Sequence, residues 1–289
     1  MKTKTLGIAL SVLLVFTCLA GCAQKTDDMT TTAPATTAPT NPVLRCSTTT
    51  SVNDSGLMEY LEPLFEAETG YDLQITSNGT GAAIALGESG DADVLLVHAK
   101  ASEEDFIAKG FGLERIPFMY NFFVIAGPAA DPAGIAASNS AADAFKKIAA
   151  NKSEFISRGD ESGTHKAELK IWTAAGVTPT AAADKWYISA GKGMGDCLTM
   201  ASERIAYVLT DKATFLSMKA NLELSIVLDK GDDMKNTYSL IACNPEKNTG
   251  LNTEGAQAFI TWMTKQDTLD KIADYGMAEY GEGLFFVDM

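Results

Sequence analysis

The feature that most constrains this chain is a regular alternation of short apolar strands with helix-patterned segments, beginning near Val43. Val94-Leu95-Leu96-Val97-His98 is a continuous apolar run, as strands covered on both faces tend to be. Ahead of it, Val43 to Thr48 and Tyr71 to Thr76 read as strands. Gly56 to Glu68 reads as a helix with Leu57, Tyr60, Leu61, Leu64 and Phe65 on one face, and Ala82 to Glu88 as a shorter one. A further helix, Ser102 to Lys109, follows the apolar run. Strands and helices in strict alternation predict an open, mostly parallel α/β sheet.

The same logic recurs after a break. Met119 to Ala126 is a longer strand ending at Gly127-Pro128, and the small, polar segment 129–142 reads as a crossing into a second lobe. That lobe carries helices over 141–150, 165–175 and 194–203 and strands over 154–157, 185–189, 206–209 and 224–228. Tyr238 to Cys243 is again strand-like and again ends in Asn-Pro. A helical stretch over 253–275, broken near Asp267, closes the chain. The expected organisation is therefore a first lobe over 43–127, a second over 128–237, and a return to the first over 238–289. Open α/β sheets bind ligands beyond the carboxyl ends of their strands, so two facing lobes place a ligand in the cleft between them.

Those strand ends have an unusual composition. The first runs into Thr48-Thr49-Thr50-Ser51, and the second into Ser77-Asn78-Gly79-Thr80-Gly81. In the second lobe, Ser157 runs into Arg158-Gly159-Asp160-Glu161-Ser162-Gly163-Thr164-His165, and a fourth junction reads Gly191-Lys192-Gly193-Met194-Gly195. The first N–H groups of a helix have no internal partner and lie at the positive end of its dipole, so an anion is held there without a full counter-charge. Glycine permits close backbone approach, and Ser or Thr hydroxyls add donors. The same residues also serve as ordinary helix caps. Arg158, a permanent charge with a planar fork of donors, is either the cationic element of an anion site or half of a surface ion pair with Asp160 or Glu161. Phosphate near neutral pH keeps a proton and gains from a buried carboxylate acceptor, whereas sulfate, molybdate and tungstate are repelled by one. The orientation of Asp160 and Glu161 therefore separates these ligand classes.

Upstream of the folded region, Lys2 and Lys4 precede an apolar run from Leu6 to Leu19, shorter than the ~20 residues of a spanning helix. The run ends in Leu19-Ala20-Gly21-Cys22, which resembles a bacterial lipobox. The expectation is a signal peptide over 1–21, a lipidated Cys22, and a Thr/Pro-rich disordered tether over 22–42. One acyl chain anchors weakly, so a second on the same cysteine is expected. The net charge of −14 argues against nucleic acid and against adhesion to anionic lipid through a basic face. It does not argue against a small anion, because surface charges are screened over about 8 Å while a desolvated site is screened far less. Cys46, Cys197 and Cys243 are far apart with no CxxC, and read as buried hydrophobes. Two histidines, His98 and His165, are too few for a metal cluster built on imidazoles, and no cofactor motif is present. His98, at the end of a buried strand, reads as structural. His165 beside Thr164 suggests a base beside a nucleophile, but neighbours at a helix start diverge and no Gly-x-Ser-x-Gly elbow occurs.

At these residues the chain resembles the tungstate-binding proteins of ABC importers. The resemblance rests on Thr48-Thr49-Thr50-Ser51, Gly79-Thr80-Gly81, the stretch from Ala92 to Ala99, Met119-Tyr120-Asn121, and the string from Ser157 to His165. It continues through Gly193-Met194-Gly195 and Ala206 to Asp211, and departs mildly at Ser77-Asn78, where a more apolar lead-in is expected. It implies a type II periplasmic-binding fold of two α/β lobes, with dehydrated tungstate in the interlobe cleft. It further implies that Thr48, Thr49, Thr50, Ser51, Gly79, Thr80 and Gly81 contribute donors from the first lobe. Arg158, Ser162, Gly163 and Thr164 would contribute from the second. The expected partners are a tungstate or molybdate oxyanion and the importer's membrane subunits. The protein itself is expected to be a non-enzymatic monomer outside the cytoplasm, with a molybdate, phosphate or sulfate binder and a secreted hydrolase as the alternatives.

Overall fold

The computed structural model describes residues 38–229 and 231–287. The expected signal peptide, Cys22 and the tether as far as residue 37 lie outside them. Asn41 and Pro42, the end of that tether, are already pinned: their carbonyls accept from Asn252 Nδ2 at 3.0 Å and Asp72 N at 2.8 Å.

The first elements are β1 (Val43–Thr49), a short α1 (Thr50–Asp54), α2 (Leu57–Thr69), β2 (Asp72–Asn78), α3 (Thr80–Ser89), β3 (Val94–Val97) and α4 (Lys100–Ala108). The long β4 (Ile116–Gly127) leads to α5 (Ala141–Asn151), β5 (Phe155–Ser157), α6 (Gly163–Ala174), β6 (Tyr187–Ser189) and α7 (Met194–Arg204). Then come β7 (Tyr207–Asp211), α8 (Lys212–Met218), β8 (Ser225–Leu228), β9 (Lys235–Ala242), α9 (Thr253–Thr264), α10 (Gln266–Asp274) and α11 (Met277–Tyr280). The helical break expected near Asp267 falls at Lys265, whose extended backbone (φ −72°, ψ 148°) ends α9 and caps α10.

The strands lie in the order β2-β1-β3-β9-β4-β7-β5-β6, with β8 also on β4. Within each lobe the alternating units pair in parallel: β1 with β2 and β3, and β5 with β6 and β7. The centre departs from the expected mostly parallel sheet. There β3–β9, β9–β4, β4–β7 and β4–β8 are all antiparallel. The reason is chain direction. β4 leaves the first lobe and β9 returns to it, so the two crossing strands run side by side in opposite senses. Ile116 to Phe122 of β4 pair with β9, whereas Phe123 to Gly127 pair with β7 and β8, so a single strand belongs to both lobes. The chain's end reinforces it, Tyr120 and Phe286 exchanging two backbone hydrogen bonds of 2.8 Å.

The first lobe is locked from within by Asp93. Its carboxylate accepts from Arg45 N, Nε and Nη2 at 2.8, 3.1 and 2.6 Å and from Asn252 N at 2.8 Å, tying β1, β3 and the return segment together. One apolar cluster extends from Phe65, Phe259 and Trp262 through Leu44 and Val52 to Met194, Leu198 and Phe215. It therefore continues across both lobes on the side of α1, α7 and α8. A second core belongs to the other lobe and centres on Phe145, Phe155, Trp172 and Tyr187, with Phe145 and Trp172 ring centroids 4.2 Å apart. Full burial of such side chains contributes roughly 1.5–3 kcal/mol each. Cys46, Cys197 and Cys243 are buried and free, and burial pushes each thiol up to about 12. They pack as hydrophobes and none is bridged.

Candidate functional site

The four strand-to-helix junctions meet where the lobes face each other. Thr49, in extended conformation, begins α1, and Gly79 begins α3; neither helix start is capped by a side chain. Opposite them, the loop after β5 folds through two left-handed positions, Gly159 (φ 61°) and Glu161 (φ 59°), before α6. At Gly159 any side chain would overlap the Ser189 hydroxyl, which requires glycine beyond the sign of φ. Ser162 caps α6 in the ordinary way, its hydroxyl accepting from His165 N at 3.2 Å.

Contacts across the cleft join the predicted residues. Arg158 Nη2 donates to Thr50 Oγ1 at 2.9 Å, and Gly163 N donates to Thr80 Oγ1 at 3.1 Å. A methyl group placed on Gly79 would lie 3.4 Å from Ser162 Cβ, and one on Gly81 would lie 3.8 Å from the Glu161 carbonyl. The fourth junction arrives too: a methyl on Gly193 would be 3.9 Å from Thr50 Cγ2. Thr48, Thr49, Ser51, Thr80, Arg158, Ser162 and Thr164 are all buried. The Thr164 hydroxyl has no hydrogen-bond partner in the protein. Two hydroxyls are already engaged elsewhere. Thr48 Oγ1 donates to the Leu96 carbonyl at 3.0 Å, and Ser51 Oγ lies 3.1 Å from His98 Nε2 and 3.4 Å from Thr49 Oγ1.

Arg158 forms the ion pair that the sequence offered as the alternative, but with the arginine buried and Asp160 only partly exposed. Its Nε and Nη2 donate to Asp160 Oδ2 at 3.1 and 2.6 Å, and the Arg158 side chain is only 2% exposed. Asp160 Oδ1 accepts from Ser162 N at 3.2 Å, so both its oxygens have donors. Glu161 points to solvent at 74% exposure. Its backbone N–H donates to His165 Nδ1 at 3.1 Å, which makes His165 a clasp on the loop and not a base for Thr164. Behind the loop, buried Glu168 accepts from Tyr187 OH at 2.8 Å and Trp172 Nε1 at 3.0 Å; burial pushes its carboxyl up to about 7.

Sequence reasoning missed a set of buried polar residues joining this cradle to the crossing strands. His98 Nδ1 lies 2.7 Å from Asn236 Oδ1 on β9. Asn236 Nδ2 donates to Asn121 Oδ1 on β4 at 2.9 Å and to Tyr238 OH at 3.0 Å. Asn121 Nδ2 in turn faces Asp211 Oδ1 at 3.4 Å, and Asp211 caps α8 through Thr214. Burial pushes His98 down to about 4 and Asp211 up to about 6, so near neutral pH the imidazole is uncharged and the carboxylate ionised. The available signal was Asn121 inside a strand pattern, where β propensity disfavours it; Asn236 lies before the strand pattern read from Tyr238, and nothing local marked it.

Beside the cradle, a groove of about 780 Å3 runs between α4 and α6, with His98, Gly163 and Asn236 among its lining. Lys100, Arg115, Lys166 and Lys235 make it more basic than the chain as a whole. Among the described residues no cluster of His, Cys, Asp and Glu could hold a metal ion, and no helix is long and apolar enough to cross a membrane.

Comparison with known proteins fits this geometry. Residues 31–267 match the model of the PBP superfamily domain. The tungstate-binding protein TupA of Peptoclostridium acidaminophilum is 45% identical over 98% of this chain and 97% of its own length. The solved structure of the tungstate ABC transporter protein from Geobacter sulfurreducens superposes with a TM-score of 0.74 at 46% identity, covering 81% of this chain and 98% of that one. The tungstate-binding protein TupA of Desulfovibrio alaskensis G20 gives a TM-score of 0.71 at 40% identity over 86% and 99% of the two chains. A buried, two-sided cradle of helix starts on a crossing-strand scaffold, and a relative matched along almost its full length, lead to one conclusion: this chain belongs to the PBP superfamily and, within it, to the family of TupA tungstate-binding proteins.

Proposed function

We propose that this protein captures tungstate as the bare oxyanion between its lobes and delivers it to the membrane subunits of an ABC importer. The observation that carries this reading is the meeting of four donor-rich helix entries from both lobes, bridged by Arg158 to Thr50 and by Gly163 to Thr80. Thr48, Thr49, Thr50, Ser51, Gly79, Thr80 and Gly81 form the first-lobe wall, and Arg158, Ser162, Gly163 and Thr164 the second. The uncapped starts of α1 and α3 and the unpartnered Thr164 hydroxyl offer donors to an anion. Asp160 supports a fully deprotonated ligand over phosphate. With Arg158 Nε and Nη2 on one oxygen and Ser162 N on the other, its carboxylate is turned to its own loop, and three of its roughly four acceptor sites are taken before the proton that phosphate retains near neutral pH. Binding, not catalysis, is the role, as in the related proteins.

The protein acts outside the cytoplasm as a monomer, held by lipid on Cys22, with lobes over 43–127 and 128–237 and a return over 238–289. Titration calorimetry of the mature protein with tungstate, molybdate, sulfate and phosphate tests the ligand. Tight tungstate binding with much weaker sulfate and phosphate is the expected result; silence for all four would reduce the junctions to well-packed helix entries. Cys22→Ala should release the protein from membranes, and retention in the membrane fraction would place the anchor elsewhere.

A further inference from the structure

The hydrogens of the buried polar chain behind Ser51 have one consistent direction, set by Asp211. Asp211 Oδ1 accepts from Thr214 N at 2.8 Å, and the single Thr214 hydroxyl hydrogen is shared among Asp211 Oδ2 at 2.8 Å, Oδ1 at 3.0 Å and the Ser51 carbonyl at 3.2 Å. Near neutral pH the ionised carboxylate only accepts, and with Tyr238 OH, 3.3 Å away, it turns the amide NH2 of Asn121 toward itself, so Asn121 Oδ1 points away and accepts from Asn236 Nδ2. Asn236 Oδ1 is then left for His98 Nδ1, which must carry the ring's hydrogen. His98 Nε2 is consequently a lone pair, and Ser51 Oγ, 3.1 Å away, donates into it. The Ser51 proton thus faces the ring and not the cradle. An oxyanion at this helix entry would meet the lone pairs of the hydroxyl expected to bind it.

We propose that His98 is a positioning residue of the cradle: oxyanion capture is accompanied by a proton on Nε2, which turns the Ser51 hydroxyl from the ring toward the anion. The inference rests on the oxyanion reading above. The step balances simply. One proton moves from water onto Nε2, the new N–H donates to Ser51 Oγ, and the Ser51 O–H rotates to a ligand oxygen; no covalent bond to carbon is made or broken and nothing is oxidised. The groove supplies the route, because His98 and Asn236 both line it. On the other sides the ring is enclosed by Tyr238 (centroids 4.8 Å apart) and Phe123 (6.5 Å), and a methyl group on Gly163 would lie 2.7 Å from Cε1. The charged groups nearby are Arg158 across the cleft and Lys100, Arg115, Lys166, Lys170, Lys235, Glu104 and Asp233 around the groove. Burial, with Arg158 adding to it, keeps the ring neutral in the free protein, down to about 4. A dianion acts in the opposite sense. Because Arg158 and Asp160 together carry no net charge, the protonated ring adds a positive charge that these paired side chains do not.

The test is calorimetric titration of the mature protein with sodium tungstate near pH 7, where Asp211 is ionised, in two buffers of different ionisation enthalpy, which counts protons exchanged. Wild type should take up about one proton per anion bound, and uptake should fade as the pH rises above about 8. His98→Gln should show no uptake and bind about tenfold more weakly near pH 7, having lost a charge-assisted donor. Because the chain has two histidines, ring 15N signals can be followed in the wild type itself, independent of how any variant folds. The His98 signals should move from the neutral Nδ1–H tautomer to imidazolium on adding tungstate. Tungstate binding with no proton uptake and unmoved His98 signals would overturn the relay and leave the binding reading standing. Absence of both heat and any shift in melting temperature with tungstate would overturn the binding reading and the relay with it.

Discussion

The two walls of the cleft are built on opposite principles. The first-lobe wall presents helix starts with no side-chain cap, at Thr49 and Gly79. The loop of the second-lobe wall is satisfied from within, the Thr164 hydroxyl excepted: Ser162 caps α6, Asp160 neutralises Arg158, and His165 clasps the loop. The first lobe therefore offers dipoles and free donors, and the second offers a rigid, pre-ordered charge. Neither wall alone surrounds a tetrahedral ion. The comparison teaches that affinity in such a site comes from preorganisation on one side and unmet hydrogen-bonding capacity on the other.

The largest expected effect removes the second wall's charge. Arg158→Ala should weaken tungstate binding by about 2–3 kcal/mol, since it deletes a charge-assisted donor and leaves Asp160 uncompensated. Calorimetry giving an unchanged affinity would show that the pair is merely structural.

The lobes should also differ in the sign of their pH response. Glu168, in the second, has a folded pKa of about 7 against 4.5 for the free group, so the unfolded chain ionises first. Its neutral form favours the fold at low pH, and that advantage is lost as pH rises between these values, on the order of 3 kcal/mol. Glu168→Gln should thus gain melting temperature over wild type at pH 8 relative to pH 5. His98 acts in reverse: with a folded pKa of about 4 against 6.5, it costs stability as pH falls through that window. His98→Gln should correspondingly narrow the loss of stability in acid. Thermal melts across pH showing the same trend for both variants would break the contrast.

A smaller effect is expected at the first wall. Thr80→Val leaves the Gly163 N–H without its acceptor and should cost about 1 kcal/mol of binding. Equal losses from Thr80→Val and Arg158→Ala would erase the distinction between the walls. The smallest concerns the groove rim, where Lys166 Nζ donates to Ser102 Oγ at 2.8 Å between α6 and α4. Lys166→Gln should change affinity by less than about 1 kcal/mol; a loss as large as that of Arg158→Ala would make the rim part of the binding wall.

Much of this molecule was legible in the residues. The four junctions of the cradle occur where Ser, Thr and Gly end a strand run, because those residues act through local backbone geometry. α2 followed from its apolar face, whereas β4 changes partners between Phe122 and Phe123, within the strand and not at its Gly127-Pro128 end. The short α1 was not foreseen, since Thr50–Asp54 is too brief to carry a period.

What the sequence determined by itself is local: alternating elements, the composition of their junctions, and a charge and cysteine pattern that argued against a nucleic-acid binder and a disulfide scaffold. Only the tertiary structure decided the antiparallel centre, the pairing of Arg158 with Asp160 instead of its lying open, and the outward turn of Glu161. It also joined His98 and Asn236, 138 residues apart, into one polar chain. The physical reason is that helix entries and strand runs depend on neighbours a few residues away. The direction of a crossing strand, the partner of a buried charge and the proton on a histidine depend on groups that meet only after the chain has closed on itself.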